Sequence, residues 1–143
     1  MTRIDFYVLP DADPAQRSVL ACKLAEKAYG QGLKVYIHTA SEDDSRRLDE
    51  LLWTFRAGSF LPHAIDSAVE DDAPPILLGH DREPAGHSDV LINLGAEIPR
   101  FFGRFERVAE LVDQRPELLA QSRERFRFYR ERGYELKTHQ LKA

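Results

Sequence analysis

Apolar and polar positions change period several times along the first part of the chain. Arg3 to Leu9 is a short apolar run with the length and composition of a buried strand. From Pro14 to Gly30 apolar residues recur at helical spacing, and Gly30 and Gly32 mark the end of that helix. Leu33 to His38 is again β-branched and aromatic. This part of the chain therefore predicts a strand, a helix and a second strand.

The same alternation continues to the end of the chain. Ser41 to Asp44 resembles a helix capping box, and apolar Leu48, Leu51 and Leu52 extend this helix as far as Trp53. Further strands are predicted at Pro75–Gly79, Asp89–Leu94 and Phe105–Val112, although the apolar spacing of the last one also fits a helix. A helix from Pro116 to Gly133 and a short strand at Tyr134–Thr138 follow. Residues 70–75 and 79–88 are predicted to be exposed loops. Helices alternating with apolar strands predict an α/β fold: one domain over residues 1–143, with a mainly parallel sheet, right-handed crossovers and helices on both faces.

Charge is distributed unevenly between the two ends of the chain. The 143 residues carry a net charge of -4, but residues 121–143 hold seven Lys/Arg against three Asp/Glu. The rest of the chain is acidic, which argues against a protein that coats DNA through its overall charge. Cys22 is the only cysteine, and the sequence shows neither a signal peptide nor an apolar run long enough to span a membrane. We therefore expect a cytoplasmic protein without membrane contact.

The basic end concentrates its arginines in the last predicted helix. Arg123, Phe126, Arg127 and Arg130 occur at i, i+3, i+4 and i+7, so they share one helix face. A solvated face explains much of this pattern, because arginine is a good helix former and cations suit a helix C-terminus. The aromatic ring among the arginines fits instead a ligand with carboxylates and a hydrophobic group. Nucleic acid and an acidic peptide both remain possible ligands at this point.

Residue patterns typical of catalysis are weak. The turn from Pro10 to Pro14 has no glycine and no Lys-Ser/Thr pair, and its two carboxylates would repel phosphate. The nearest approach to a metal cluster is formed by His80, Asp81, His87 and Asp89, whose spacing matches no common zinc pattern. Cys22 falls within the apolar pattern of the first helix, as a buried thiol would. We expect no cofactor and no ATPase, polymerase or nuclease activity in the isolated protein.

Two aromatic residues stand near the end of the second predicted helix. Trp53 closes that helix, and Phe60 follows within a short loop. From residue type alone, the favoured interpretation is that both rings plug the end of the core. The alternative is a binding hot spot at which exposed aromatic side chains anchor a partner protein.

Several segments in succession resemble the chi subunits of bacterial DNA polymerase III. The similarity covers nearly the whole chain, and the matching segments keep their order and spacing. They are Asp5–Leu9, Gly32–Ile37, Arg47–Trp53, Ser59–His63, Asp89–Asn93, Arg123–Arg130 and Gly133–Leu136.

The resemblance implies a Rossmann-like fold that has lost its phosphate-binding loop, and an accessory, non-catalytic subunit of a DNA-directed DNA polymerase (nucleotidyltransferase) holoenzyme. It implies two partners: the small psi subunit of the clamp loader, and the acidic C-terminal tail of single-stranded DNA-binding protein, which is rich in aspartate and ends in phenylalanine. Association with DNA would be indirect, in the cytoplasm and at the nucleoid through the replisome.

The resemblance also assigns residues to each partner. For the tail these are Arg123, Phe126, Arg127 and Arg130, with Val112, Leu136 and Thr138 as walls; for psi they are Trp53 and Phe60. Leu119 stands where the family can place a lysine, which predicts a more apolar pocket. A rival interpretation is a Rossmann-like enzyme or binding protein that takes a small anionic metabolite at the same arginines.

Overall fold

A computed structural model describes residues 1–66, 73–80 and 82–142. Seven parallel strands form one open sheet in the order β3-β4-β2-β5-β6-β1-β7. The strands are β1 (Arg3–Val8), β2 (Val35–His38), β3 (His63–Ile65), β4 (Ile76–Gly79), β5 (Val90–Asn93), β6 (Arg107–Val112) and β7 (Glu135–Gln140). The helices are α1 (Pro14–Gly30), α2 (Glu42–Thr54) and α3 (Pro116–Glu131), with a short 3-10 helix at Phe102–Arg104. The predicted α/β class and parallel sheet are confirmed.

Two apolar clusters hold the helices against the sheet. On one face, α1 and α2 pack over the central strands, with residues such as Ala25, Leu52 and Ile37 almost completely buried. On the other face, α3 packs over β6, β1 and β7, with Phe6 and Tyr129 at the centre. Because the helices cover both faces, the apolar strands are shielded on each side, as is usual for parallel sheets.

The helix termini show how the sequence sets the element boundaries. The Asp13 side chain accepts the Ala15 N–H and caps α1, and Ser41 accepts the Asp44 N–H and caps α2. Gly133 has φ +80° just after α3, a left-handed conformation that glycine adopts without strain. The Asp13 cap places a carboxylate at the position where a nucleotide-binding fold holds phosphate.

Cys22 is completely buried among apolar residues of α1, as predicted. Burial raises the pKa of its thiol to about 12. No helix among residues 1–66, 73–80 and 82–142 is long and apolar enough to cross a membrane.

The main differences between the structure and the sequence predictions concern two strands and one loop. The edge strand β3 was not predicted, because its residues are only half-buried and form no apolar run. β7 continues to Gln140, two residues beyond the predicted end. In the predicted exposed loop 79–88, His87 is instead buried, with its Nε2 atom 2.8 Å from the Pro74 carbonyl oxygen.

Candidate functional site

Helix α3 carries the arginine-rich segment, and its two sides have different surroundings. Tyr129 is completely buried and Arg125 is 8% exposed, so this side of the helix faces the sheet. Arg123, Arg127 and Arg130 are exposed. One arginine of this helix is therefore internal and several face solvent, and the residue type alone does not distinguish them.

The outer side of α3 forms a shallow depression of about 330 Å³. Its lining, which we call the arginine surface, consists of Ser122, Arg123, Phe126, Arg127 and Arg130. The Arg130 guanidinium carbon lies 5.8 Å from the centroid of the Phe126 ring, within cation–π range. Arg127 makes one exposed contact of 3.4 Å with Glu124, and such exposed pairs contribute little to stability. The guanidinium groups are thus accessible to an anionic ligand.

Phe126 forms an aromatic floor for this depression. Its ring is half-buried and packs at 5.5 Å, centroid to centroid, on Phe6 of β1. Phe6 is only 2% exposed and belongs to the core beneath α3. One side of the Phe126 ring is therefore fixed by the core, and the other lies among the arginines.

The depression itself is lined by α3, and the three predicted wall residues lie on the sheet beside it. Val112 is 4% exposed and belongs to the core under α3, so it can support the surface from below. Leu136 packs half-buried against the same core. Thr138 is exposed and pairs in register with Phe6, which brings β7 alongside the Phe126 contact. Leu119 also packs half-buried against this core.

A buried polar network anchors the inner side of α3. Glu110 of β6, 1% exposed, accepts a hydrogen bond of 2.8 Å from Arg125 and one of 2.7 Å from the Tyr129 hydroxyl. The Asn93 amide donates to both Glu110 carboxylate oxygens, and Arg125 also donates to the Gly95 carbonyl. Burial, together with the Glu110 charge, raises the pKa of the Tyr129 hydroxyl.

The buried network fixes which face of α3 turns outward. Its hydrogen bonds join the helix to Glu110 within β6 and to Gly95 just after β5, and a rotation of α3 would leave the Glu110 carboxylate without its two partners on the helix. Sequence analysis missed this role of Glu110 and Arg125. The available signal was a glutamate inside the apolar run of β6, because a buried carboxylate needs a partner.

Trp53 and Phe60 form a second candidate surface, which we call the aromatic patch. Trp53 is 46% exposed and Phe60 is 70% exposed, with ring centroids 5.6 Å apart. The core-plug interpretation is therefore wrong for both residues, and the predicted exposure is confirmed. Gly58, with φ +79°, allows the tight turn that brings Phe60 back toward α2.

The aromatic patch is supported from below by a buried histidine. The His63 ring lies 4.4 Å from the Trp53 ring, and its side chain is completely buried. The His63 ring nitrogens lie 2.6 Å from the Leu61 carbonyl oxygen and 3.0 Å from that of Asp49. These contacts fix the base on which Trp53 rests.

The residues considered for a metal do not assemble into a site in the described part of the chain. Within residues 1–66, 73–80 and 82–142 no three His, Cys, Asp or Glu side chains converge on one point. Asp89 accepts the Lys34 backbone N–H instead. Asp81 lies outside the described residues.

The two surfaces lie near opposite ends of the sheet. The aromatic patch rests on His63 of edge strand β3, whereas the arginine surface is on α3, which covers β6, β1 and edge strand β7.

Comparison with known protein families gives a match over residues 1–137 to the family described as DNA polymerase III chi subunit, HolC. The chain is 50% identical to the DNA polymerase III subunit chi of Pseudomonas aeruginosa, over 99% of this chain and 98% of that protein. It is 31% identical to the subunit of the same name from Haemophilus influenzae, over 95% of each chain. The Escherichia coli subunit chi is also 31% identical, over 83% of this chain and 82% of that one.

Among solved structures, T4 UvsW matches with a TM-score of 0.71 over 97% of this chain and 42% of the UvsW chain. The sequence identity is 11%, so this likeness concerns the fold alone.

Proposed function

Because the chain belongs to the family of DNA polymerase III chi subunits, we propose that it connects two replication proteins. One is the psi subunit of the clamp loader. The other is single-stranded DNA-binding protein, held by its acidic C-terminal tail. In this proposal the chain performs no chemistry itself and reaches DNA only through its partners, in the cytoplasm.

The observation that supports tail binding most strongly is the half-buried Phe126 ring beneath exposed guanidinium groups. Arginine binds carboxylates through charge-assisted and often bidentate hydrogen bonds. A terminal phenylalanine can pack on Phe126, while Arg123 and Arg127 take the aspartate and terminal carboxylates. Leu136 and Thr138 border this contact in the proposal, and Val112 supports it from the core.

A peptide ligand fits this surface better than single-stranded DNA does. The net charge of the whole chain is -4, so the arginine surface is a local cationic area on an acidic protein. Single-stranded DNA is bound through several successive phosphate contacts, which need a surface longer than this depression. The depression of about 330 Å³ suits one side chain and its flanking carboxylates.

We expect a fluorescent peptide that ends in aspartates and a free phenylalanine to bind with a dissociation constant in the micromolar range. Each charged hydrogen bond contributes about 1.5–3 kcal/mol, but ordering a flexible tail costs several kcal/mol. Deleting only the terminal phenylalanine should weaken binding at least about tenfold, because the loss of a buried ring removes roughly 1.5–3 kcal/mol. Fluorescence anisotropy at two salt concentrations measures both effects, and added salt should weaken binding.

Two outcomes of this titration would contradict the tail assignment. The shortened peptide could bind as well as the intact one, or unlabelled single-stranded DNA could bind more tightly than the tail. Displacement of the peptide by a small dicarboxylate at lower concentration than by free tail would favour the rival metabolite interpretation.

For psi, the proposal rests on the aromatic patch. Exposed tryptophan and phenylalanine are common anchors of protein interfaces, and this pair is supported by the buried His63 ring. The patch lies away from the arginine surface, which leaves the tail site open.

The Trp53→Ala and Phe60→Ala variants should each weaken psi binding by about 2 kcal/mol or more, because central aromatic anchors carry much of the energy of an interface. Their melting temperatures should stay close to that of the unchanged protein, since both side chains are already exposed. Calorimetric titration with purified psi and thermal unfolding give the two values. Glu50→Ala, an exposed position on the same helix, is the matched control. Unchanged psi affinity in both aromatic variants would exclude the patch as the psi site.

A further inference from the structure

A cleft of about 500 Å³ lies between the first turns of α1 and α2, at the carboxyl ends of the parallel strands. Its polar lining includes Arg17, Arg47 and Arg115. Apolar side chains complete the walls, among them Val19, Leu48 and Leu94. The cleft is distinct from the arginine surface, and it occupies the edge of the sheet where α/β folds generally bind small ligands.

The charges around this cleft do not balance. Arg115 pairs with the completely buried Asp113 carboxylate at 2.9 Å, and Arg125 pairs with Glu110 at 2.8 Å. Arg17 hydrogen-bonds through Nε to the Leu111 carbonyl oxygen at 2.9 Å and has no carboxylate partner among the described residues.

Arg17 is thus the surplus cation in a group of three arginines and two carboxylates. Its pKa is lowered to about 10, mainly by burial; the Asp113 and Glu110 carboxylates oppose this shift, and the positive charges of Arg115 and Arg125 add to it. A partly buried cation without a counter-ion is costly, and an anionic ligand would compensate it.

The other charges on the cleft leave this surplus in place. Arg47 and Asp44 form an exposed pair at 3.5 Å, which contributes no net charge. The Asp13 carboxylate lies outside the lining of the cleft and caps the N-terminus of α1, so an incoming anion would contact the arginine side chains rather than that helix end.

We propose that this cleft binds a small organic anion, with its oxyanion group on Arg17 and its apolar part against Val19, Leu48 and Leu94. The oxyanion is a phosphate monoester or a carboxylate, because a guanidinium group binds both through the same planar donor fork. The volume lies within the range of small-molecule sites. This site would be occupied independently of psi and of the acidic tail.

Phenyl phosphate, benzoate, inorganic phosphate and phenol separate the parts of the proposal. Each is titrated at constant ionic strength into the full-length ¹⁵N-labelled protein, with the arginine Nε–Hε signals observed by NMR. We expect phenyl phosphate or benzoate to shift the Arg17 signal and to bind at least tenfold more tightly than inorganic phosphate or phenol. The tighter of these two aromatic anions identifies the oxyanion class.

Three variants locate the binding. Arg17→Gln should reduce the affinity at least tenfold. Ser18→Glu, which adds a negative charge to the cleft wall at a partly exposed position, should do the same and serves if Arg17→Gln does not fold. Arg46→Gln, an exposed residue of α2 outside the cleft lining, should bind normally.

The proposal is overturned if phenol shifts the same signals as strongly as the anions do, or if no anion exceeds sodium chloride at equal ionic strength. It is also overturned if the shifts appear at Arg123 and Arg127 instead of Arg17. Tail-peptide binding tests the proposed function separately, so failure of one leaves the other unaffected.

Discussion

The Arg125→Met variant is expected to lose about 3–5 kcal/mol of its free energy of unfolding, a large part of the stability of a domain of this size. The reason is the Glu110 carboxylate, which is 1% exposed and would lose the cation that pairs with it. The Tyr129 hydroxyl and the Asn93 amide would still donate to it, but they carry no compensating charge. Urea denaturation followed by circular dichroism measures the loss.

Two further variants show whether the buried charge is the cause. Arg123→Met removes an exposed arginine from the same helix and should change the free energy of unfolding by less than about 0.5 kcal/mol. The double variant Glu110→Leu/Arg125→Met removes both charges and should recover much of the stability, since apolar replacements of buried pairs are often tolerated. A double variant no more stable than Arg125→Met would show that the hydrogen-bond geometry, rather than the lone charge, determines the loss.

The Arg127→Glu variant should bind the acidic tail roughly 10- to 100-fold more weakly than the unchanged protein. A charged hydrogen bond contributes about 1.5–3 kcal/mol, and each 1.4 kcal/mol is a factor of ten in affinity. The new carboxylate would also repel the aspartates of the tail. Arg123→Ala should cause a smaller loss, because it removes one cation without adding a repulsive group. Anisotropy titrations with the same labelled peptide compare the variants.

Arg132→Ala is the matched control for the arginine surface. Arg132 belongs to the same arginine-rich segment, but its guanidinium carbon lies 3.7 Å from the centroid of the Phe128 ring and is not part of the depression. Its replacement should leave tail affinity within about twofold, since only long-range attraction is lost. Equal losses in Arg132→Ala and Arg123→Ala would indicate binding by general positive charge instead of by a defined surface.

The sequence predicted most of the fold because its strong patterns reflect burial on both sides of a parallel sheet. β1, α1 and α2 follow from apolar periodicity and, for α2, from the capping residues that begin at Ser41. The strand β6 was predicted despite spacing that also fits a helix. β3 could not be predicted, because a three-residue edge strand depends on pairing with β4 rather than on its own residues.

For the candidate surfaces, residue type was informative only together with spacing. The helical period placed Arg123, Phe126 and Arg127 on one face, and the structure brings them around one depression. Residue type alone gave the wrong environment for Trp53, because a large aromatic side chain packs equally well in a core and at an interface. The internal role of Arg125 depends on Glu110, which is distant along the chain and meets it only when α3 packs on the sheet.

The strand order has a mechanical consequence for the proposed connection between two partner proteins. The aromatic patch lies at β3 and the arginine surface beside β7, with six strand spacings, roughly 29 Å, from one edge to the other. Partners bound at these edges need not compete, and a pull between them would be carried across the backbone ladders of the sheet. Where the two partners belong to one assembly, a partner held at one edge keeps the second partner close to the opposite edge, so that a broken contact there re-forms at high effective concentration. The proposed tail contact can then be weak and exchange rapidly while the connection lasts, whereas a single tight site would last only by slowing release.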